Sequence, residues 1–290
     1  MTLHRTNQRV GVIGLGLMGS AIVDRLLDHQ FLPVIWNRTP EKAEPFLQRG
    51  AVWSDNPMAD CDRVIVSLYS SDVVESVLQS LKGSLRPGQI VIDTTTGDPE
   101  QSVEWEKRLA ESGAIYLDAP ISGSSEQTRR GEATVIVSGQ QQAFEGCEDL
   151  WPVLGKNVFY VGASGNAAKM KLVSNLVLGL NRAALAEGLV FAESIGIEPR
   201  SALEVLRGSA AYSRQMDTKG HKMVEQDFSV QARLSQHLKD VRLMLEAATH
   251  TGLRLSLADT HRELLEYAES LGLGELDNSA IIQAMRRTNS

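Results

Sequence analysis

The chain has 290 residues, of which 42% are hydrophobic and 22% charged, a balance that excludes a disordered or fibrous polypeptide. At roughly 100–200 residues per domain the length predicts two domains. Twenty-nine basic residues against 36 acidic ones leave a net charge of −7, which excludes a broad cationic surface for nucleic acid. An anionic ligand must therefore be held by a few well-placed groups. No uninterrupted apolar run approaches the ~18–20 residues that span a bilayer. The N-terminal MTLHRTNQRV lacks the apolar core of a signal peptide, and the two cysteines, Cys61 and Cys147, cannot form a disulfide framework. These features predict a cytoplasmic protein with no membrane partner.

In chain order, residues 9–165 read as short apolar strands alternating with helical segments. The predicted strands are Arg9–Gly14, Leu32–Asn37, Arg63–Leu68, Ile90–Asp93, Ile115–Ala119, Ala133–Ser138 and Val158–Val161. Several are β-branched runs bounded by Gly, Asp or Asn, the pattern of buried strands. Between them lie the helical stretches Ser20–His29, Pro40–Arg49, Asp72–Leu81 and Asp98–Ser112. This alternation predicts a doubly wound parallel sheet of Rossmann type with helices on both faces. Past Gly165 the strand signal ends. A mostly apolar helical pattern covers 166–195, and further helices follow at Ser201–Gly208, Gln231–Gly252, Leu257–Leu271 and Ser279–Arg286. The expected fold is thus α/β, a Rossmann-type domain over 1–165 followed by an all-α domain over 166–290. A long interdomain helix would join them, and one that is apolar nearly all round needs a second subunit to cover it. A homodimer or homotetramer is expected.

The first predicted strand runs into Gly14-Leu15-Gly16-Leu17-Met18-Gly19, and a helical pattern follows at once. A GxGxxG in that setting predicts a dinucleotide site. Gly14 permits the tight turn, Gly16 lets backbone approach a pyrophosphate, and Gly19 lets the helix pack on the sheet. The helix N-terminus supplies N–H groups for the anion, which is how an acidic protein holds a polyanion. The next strand ends at Asn37-Arg38-Thr39, where an NAD site usually places a carboxylate for the ribose hydroxyls. A neutral Asn37 and a cationic Arg38 favour a 2′-phosphate, hence NADP. The plainer reading of Arg38 is a surface residue that starts a helix.

Three later segments carry polar residues in suggestive places. Asp118-Ala119-Pro120-Ile121-Ser122-Gly123-Ser124 follows a strand, and Pro and Gly there should free backbone N–H groups around Ser122 and Gly123 for a carboxylate. By itself the segment is equally an ordinary strand-to-loop turn. Lys171 and Asn175 stand four apart on the long helical pattern and so share a face. Apolar neighbours Met170, Leu172, Val173 and Leu176 would destabilise an ammonium and move Lys171 towards acid/base service. Taken alone, Lys171 reads more readily as a lysine with its stem on apolar surface and its charge in water. Lys239-Asp240, within SQHLKDVRLML, alone reads as the solvated face of a helix. The six histidines and two cysteines show no metal-ligand spacing, and no GxSxG occurs, so neither a metal nor a serine nucleophile is expected.

Together these segments resemble the β-hydroxyacid dehydrogenase family over nearly the whole length: GLGLMG, WNRT, DAPISG, GNAAKMKLVSN and the late KD pair occur in order. That family includes 3-hydroxyisobutyrate dehydrogenases and tartronate semialdehyde reductases. This chain resembles its glyoxylate/succinic semialdehyde reductase branch most, through Ser124 after the Ser122-Gly123 pair. The resemblance implies Lys171 as catalytic lysine and Asn175 as the residue that orients substrate. It implies that Ser122 and Gly123 hold the substrate carboxylate. Lys239 would lie near the cofactor with Asp240 as its companion. Thr95 and Thr96 would stand beside the nicotinamide ribose, and Leu68 and Tyr69 in a cofactor-contacting loop. Where the family carries an aromatic before KD, this chain has Ala232, with Phe228 four positions earlier, and the resemblance then implies a pocket with room for a larger substrate.

The implied activity is NADPH-dependent reduction of a small aldehyde or keto acid, with Lys171 as general acid/base. Two rivals stand beside it. An imine reductase shares the helical half, but that group generally replaces the lysine kept here. A non-catalytic dinucleotide-binding scaffold would have no use for Lys171 with Asn175.

Overall fold

Strands whose residues are apolar on both faces must be covered on both faces, and the N-terminal half builds such a sheet. A computed structural model describes residues 9–288; the expectation about a leader rests mainly on residues 1–8, outside that range. The strands are β1 (Arg9–Ile13), β2 (Leu32–Trp36), β3 (Val52–Trp53), β4 (Arg63–Val66), β5 (Ile90–Asp93), β6 (Ile115–Asp118), β7 (Ile121–Ser122), β8 (Thr134–Gly139) and β9 (Asn157–Tyr160). Their order is β3-β2-β1-β4-β5-β6-β8-β7, with β9 on β8. The helices α1 (Leu17–Asp28), α2 (Glu44–Leu47), α3 (Pro57–Asp60), α4 (Ser71–Leu81), α5 (Pro99–Ala110), α6 (Ser125–Arg129), α7 (Gln141–Glu145) and α8 (Trp151–Leu154) complete this half. Val10, Val12, Ile65, Ile92 and Leu117 pack into one buried cluster, and Ile13, Val64, Val66, Val91 and Tyr116 into another. Neighbours along one strand fall in different clusters, as a period of two requires.

The strands β1 to β6 pair in parallel, but β8 runs antiparallel to both β6 and β7. The wholly parallel sheet expected above is therefore corrected to a mixed one. After Pro120 the two-residue β7 keeps the direction of β6, and the chain then reverses into β8 through only the five-residue α6, too short a connection for a parallel crossover. The sheet order reverses between β1 and β4, and ligands of open α/β sheets bind at the carboxyl ends of the strands at such a point. The Pro40–Arg49 helix is also shorter than expected, a 3-10 turn at Pro40–Ala43 followed by α2.

The second half is helical: α9 (Asn166–Ser194), α10 (Pro199–Arg207), α11 (Arg214–Glu225), α12 (Leu234–His250), α13 (Ser256–Ser270) and α14 (Ile281–Thr288). Two compact units result, one ending at Lys171 and the other beginning at Leu172, so the division falls within α9. The helical core gathers Leu185, Leu189, Leu203, Met223, Leu238, Val241, Leu265 and Ile282. By length and composition α9 also passes for a membrane span, but Lys171, Asn175 and Arg182 are buried along it, as in a helix packed in protein. Its exposed positions are apolar at Met170, Val173, Val177 and Phe191.

Candidate active site

The glycine loop leaves β1 at the switch point, and its three glycines do three different jobs. Gly14 has φ +104°, and a Cβ there would lie 2.3 Å from the Ser67 carbonyl oxygen at the end of β4. A Cβ on Gly19 would lie 1.9 Å from the Gly14 carbonyl oxygen. At Gly16, by contrast, a Cβ would meet no protein atom within 4 Å. Gly16 is the N-cap of α1, and no side chain caps that helix. Open space thus lies before the N–H groups of a twelve-residue helix, which fits the pyrophosphate of a dinucleotide. Gly16 and Leu17 are exposed and Met18 half-buried.

Two tethers set the rim of this cradle. The Asn37 Oδ1 accepts from the Leu15 N–H at 2.9 Å, and its Nδ2 donates to the Thr39 carbonyl at 2.9 Å. Both ends of that amide shape the loop, so Asn37 acts by fixing Leu15 at the end of β2. Arg38 beside it is exposed and makes no hydrogen bond or ion pair with the described residues, leaving its guanidinium for a ligand. Thr39 is exposed next to it. The second tether runs from β5: the Leu68 N–H donates to Thr95 Oγ1 at 3.1 Å, and the Thr95 N–H donates to Asp93 Oδ1 at 2.9 Å. Thr95 is buried, Leu68 and Thr96 half-buried and Tyr69 exposed. Burial pushes the Asp93 carboxyl up, while hydrogen bonds from Thr95 and the Tyr116 hydroxyl oppose that shift.

Ser122 is not in a free loop, as the Pro–Gly signal implied; with Ile121 it forms β7, paired to β8 with Thr134 opposite. The strand ends at Gly123, where a Cβ would sit 3.1 Å from the Ala133 Cβ. Ser124 is the N-cap of α6. Its hydroxyl accepts from the Gln127 N–H at 3.1 Å, and its N–H donates to Gln127 Oε1 at 2.9 Å. That capping box commits Ser124 to the helix end.

Lys171 and Asn175 lie one turn apart on α9 at 6% and 7% exposure, so neither is the solvated residue its charge or amide would suggest alone. In the helical unit, Asn175 Nδ2 donates to Asp240 Oδ2 at 2.9 Å, and the Lys239 ammonium lies 3.2 Å from Asp240 Oδ1. Lys239-Asp240 is therefore an anchored pair, with Asp240 buried between an amide and an ammonium. Ala232 precedes α12 and donates its N–H to Asp277 Oδ2 at 3.1 Å. Phe228 is half-buried in the same connection.

A family model described as the NAD binding domain of 6-phosphogluconate dehydrogenase matches residues 9–162. Another, described as the NAD-binding part of NADP-dependent 3-hydroxyisobutyrate dehydrogenase, matches residues 165–285. Glyoxylate/succinic semialdehyde reductase 1 of Arabidopsis thaliana is 32% identical over 283 residues, covering 96% of this chain and 98% of its own. The structure is similar to that of 3-hydroxyisobutyrate dehydrogenase from Salmonella typhimurium, with a TM-score of 0.88 at 25% identity over 95% of this chain and 99% of that one. It is also similar to Psf3 in complex with NADP+ and 2-OPP, with a TM-score of 0.87 at 27% identity over 95% and 99% of the two chains. The chain belongs to the β-hydroxyacid dehydrogenase family.

As a member it is an NAD(P)-binding oxidoreductase of the 3-hydroxyisobutyrate dehydrogenase type. This β-hydroxyacid dehydrogenase also buries polar residues that the sequence pattern did not single out. His237 and His261 meet through their Nε2 atoms at 3.0 Å, and a Cβ on Gly179 would lie 2.5 Å from His237 Nε2. Burial, and Arg182 next, hold His261 down at about 3, so it is neutral at ordinary pH. Arg182 is 0% exposed with no hydrogen-bond partner for its three guanidinium nitrogens among the described residues, and burial brings it down to about 10. Lys219 pairs with Asp277 at 2.9 Å, both buried. In the sequence Arg182 interrupts the apolar run of α9, while Lys219 lies on α11, whose polar composition conceals a packed helix.

Proposed function

We propose that this dehydrogenase reduces a small aldehyde- or keto-carboxylate with NADPH, Lys171 acting as the proton donor. The bound dinucleotide supplies a hydride to the carbonyl carbon. The Gly14–Gly19 turn and the α1 N-terminus hold its pyrophosphate, and Arg38 pairs with the 2′-phosphate, which is the ground for preferring NADP to NAD. Ser122 and Gly123 take the substrate carboxylate, and Asn175, fixed by Asp240, orients the carbonyl. Lys171 gives its proton to the oxygen as the carbon–oxygen double bond is reduced, so that a hydroxy acid leaves and no alkoxide is stranded. In the opposite direction the neutral amine takes the hydroxyl proton.

The observation that carries this reading is the burial of Lys171 and Asn175 on one face of α9, with the Asn175 amide already locked. Ala232, small where the resemblance implies an aromatic, favours a substrate longer than glyoxylate, such as succinic semialdehyde. The exposed apolar positions of α9, with Val177 at 55% and Phe191 at 62% exposure, support a homodimer in which a second copy covers them. The two free, buried cysteines suit a reducing compartment, and we place the enzyme in the cytoplasm on that ground. Assaying glyoxylate, succinic semialdehyde, a methyl-branched semialdehyde and a cyclic imine with NADPH and NADH in parallel tests the reading. Faster oxidation of NADPH by the semialdehydes is expected; turnover of the imine alone would overturn it.

A further inference from the structure

The first turn of α9 carries four N–H groups with no acceptor inside the helix. Two are satisfied locally: Asn166 donates to the Ala163 carbonyl at 3.1 Å and Lys169 to the Gly165 carbonyl at 3.0 Å. The other two reach across to the sheet. The Ala167 N–H donates to Ser138 Oγ on β8 at 3.0 Å, and the Ala168 N–H donates to Asp118 Oδ2 on β6 at 2.8 Å. Ser138 Oγ in turn donates to Asp118 Oδ2 at 3.3 Å. Asp118 and Ser138 are 2% and 0% exposed, and β6 and β8 pair at this point with Asp118 opposite Ser138. A helix end is usually capped by the residue just before it. Here the cap is supplied by two strands, 50 and 29 residues earlier in the chain.

We propose that Asp118 and Ser138 are positioning residues for the reaction, a sheet-borne cap that sets the first turn of α9 and with it Lys171. Ala168 and Lys171 are three residues apart, about 4.5 Å along the axis, so a shift of the capped turn is passed on to the reacting amine. A displacement of about 1 Å at a catalytic group is enough to cost roughly a hundredfold in rate. The inference rests on the reading of Lys171 as proton donor.

The charge state of Asp118 makes the cap sensitive to pH. The groups facing it are Asp93 on β5, whose carboxylate also takes the Tyr116 hydroxyl, Ser138 on β8, and the N–H dipoles of α9, where Lys169 and Lys171 are the nearest cations in sequence. Burial drives Asp118 up to about 7, with Asp93 adding to the rise and the Ala168 and Ser138 hydrogen bonds opposing it. The ionised form makes a charge-assisted bond to the helix N-terminus and is favoured by its dipole. Protonation weakens that bond, so the well-held state of α9 lies on the alkaline side of neutrality.

The test compares wild type, Asp118→Asn, Ser138→Ala and Lys171→Ala with the better of glyoxylate and succinic semialdehyde as probe. Between pH 6 and 8.5, wild-type kcat should rise through a limb near neutrality. Asp118→Asn keeps the shape of the side chain but cannot ionise. It should lose ten- to a hundredfold in kcat at pH 8 and show no such limb, with NADPH affinity within threefold of wild type. Ser138→Ala removes a hydrogen bond that stabilises the Asp118 carboxylate and should shift the limb to higher pH. Hydrogen exchange over residues 163–175, corrected for intrinsic pH dependence, should quicken in both variants. A wild-type kcat and limb in Asp118→Asn, or an unmoved limb in Ser138→Ala, would overturn the inference while an inactive Lys171→Ala left the reading of Lys171 standing. Full turnover by Lys171→Ala would instead remove the reading on which it rests.

Discussion

Arg38 is exposed beside the glycine loop and makes no ion pair with the described residues, whereas Arg49, Arg63 and Arg108 each hold a carboxylate of their own protein. A charge-assisted hydrogen bond is worth about 1.5–3 kcal/mol, so Arg38→Ala should weaken NADPH binding roughly ten- to a hundredfold and leave NADH within threefold. Fluorescence titration with both nucleotides decides it, and equal losses for the two would show that Arg38 does not read the 2′-phosphate. Buried charge gives a second residue-scale test. Lys219→Met strands the Asp277 carboxylate, which is 0% exposed, and should cost about 3–5 kcal/mol in urea unfolding. The three glycines of the turn were legible in the sequence, because only a residue without a side chain fits Gly14 and Gly19. The uses of Asn37 and Ser124 were not legible. A side-chain amide or hydroxyl names no partner, and these two are spent on the Leu15 N–H and the Gln127 N–H.

Among the elements, α9 joins a sheet-held first turn to an exposed apolar side, and its cap has a thermodynamic consequence apart from its effect on rate. Asp118 is raised from 3.8 to about 7 in the folded protein. Its native-state proton therefore adds stability that is fully present below pH ~4 and is lost as pH rises through 7, at most about 4 kcal/mol over some three pH units. Asp118→Asn does not incur this loss. In urea unfolding its stability relative to wild type should improve by a few kcal/mol between pH 4.5 and 8; a constant difference would show that Asp118 titrates in its ordinary range. The strands and long helices were legible from β-branched runs and apolar periodicity. The short β7 and the helix α11 were not. Two residues carry no period, and α11 (RQMDTKGHKMVE) buries Lys219 and Lys222, so its packed face is partly cationic and its apolar pattern is broken.

At the scale of the whole molecule, a net charge of −7 leaves no broad cationic surface for a dinucleotide, and on the proposed reading its phosphates are met by positive groups placed singly, the α1 N-terminus and Arg38. The apolar positions left exposed on α9 predict association. Light scattering at micromolar concentration should give at least twice the 31.7 kDa chain mass, and Val177→Asp with Phe191→Asp should lower it. A wild-type mass of one chain would contradict this. The division into a dinucleotide-binding half and a helical half was visible in the sequence as the loss of strand signal after Gly165. Which polar residues of the helical half would be buried was not visible, since Lys171, Arg182 and Lys239 look alike as letters, and only packing separates a held charge from a solvated one. The central claim is that Lys171 supplies the proton. It is tested most directly by steady-state reduction of succinic semialdehyde by NADPH with Lys171→Ala: kcat should fall at least a thousandfold with NADPH affinity within threefold of wild type, and turnover within tenfold of wild type would contradict the account.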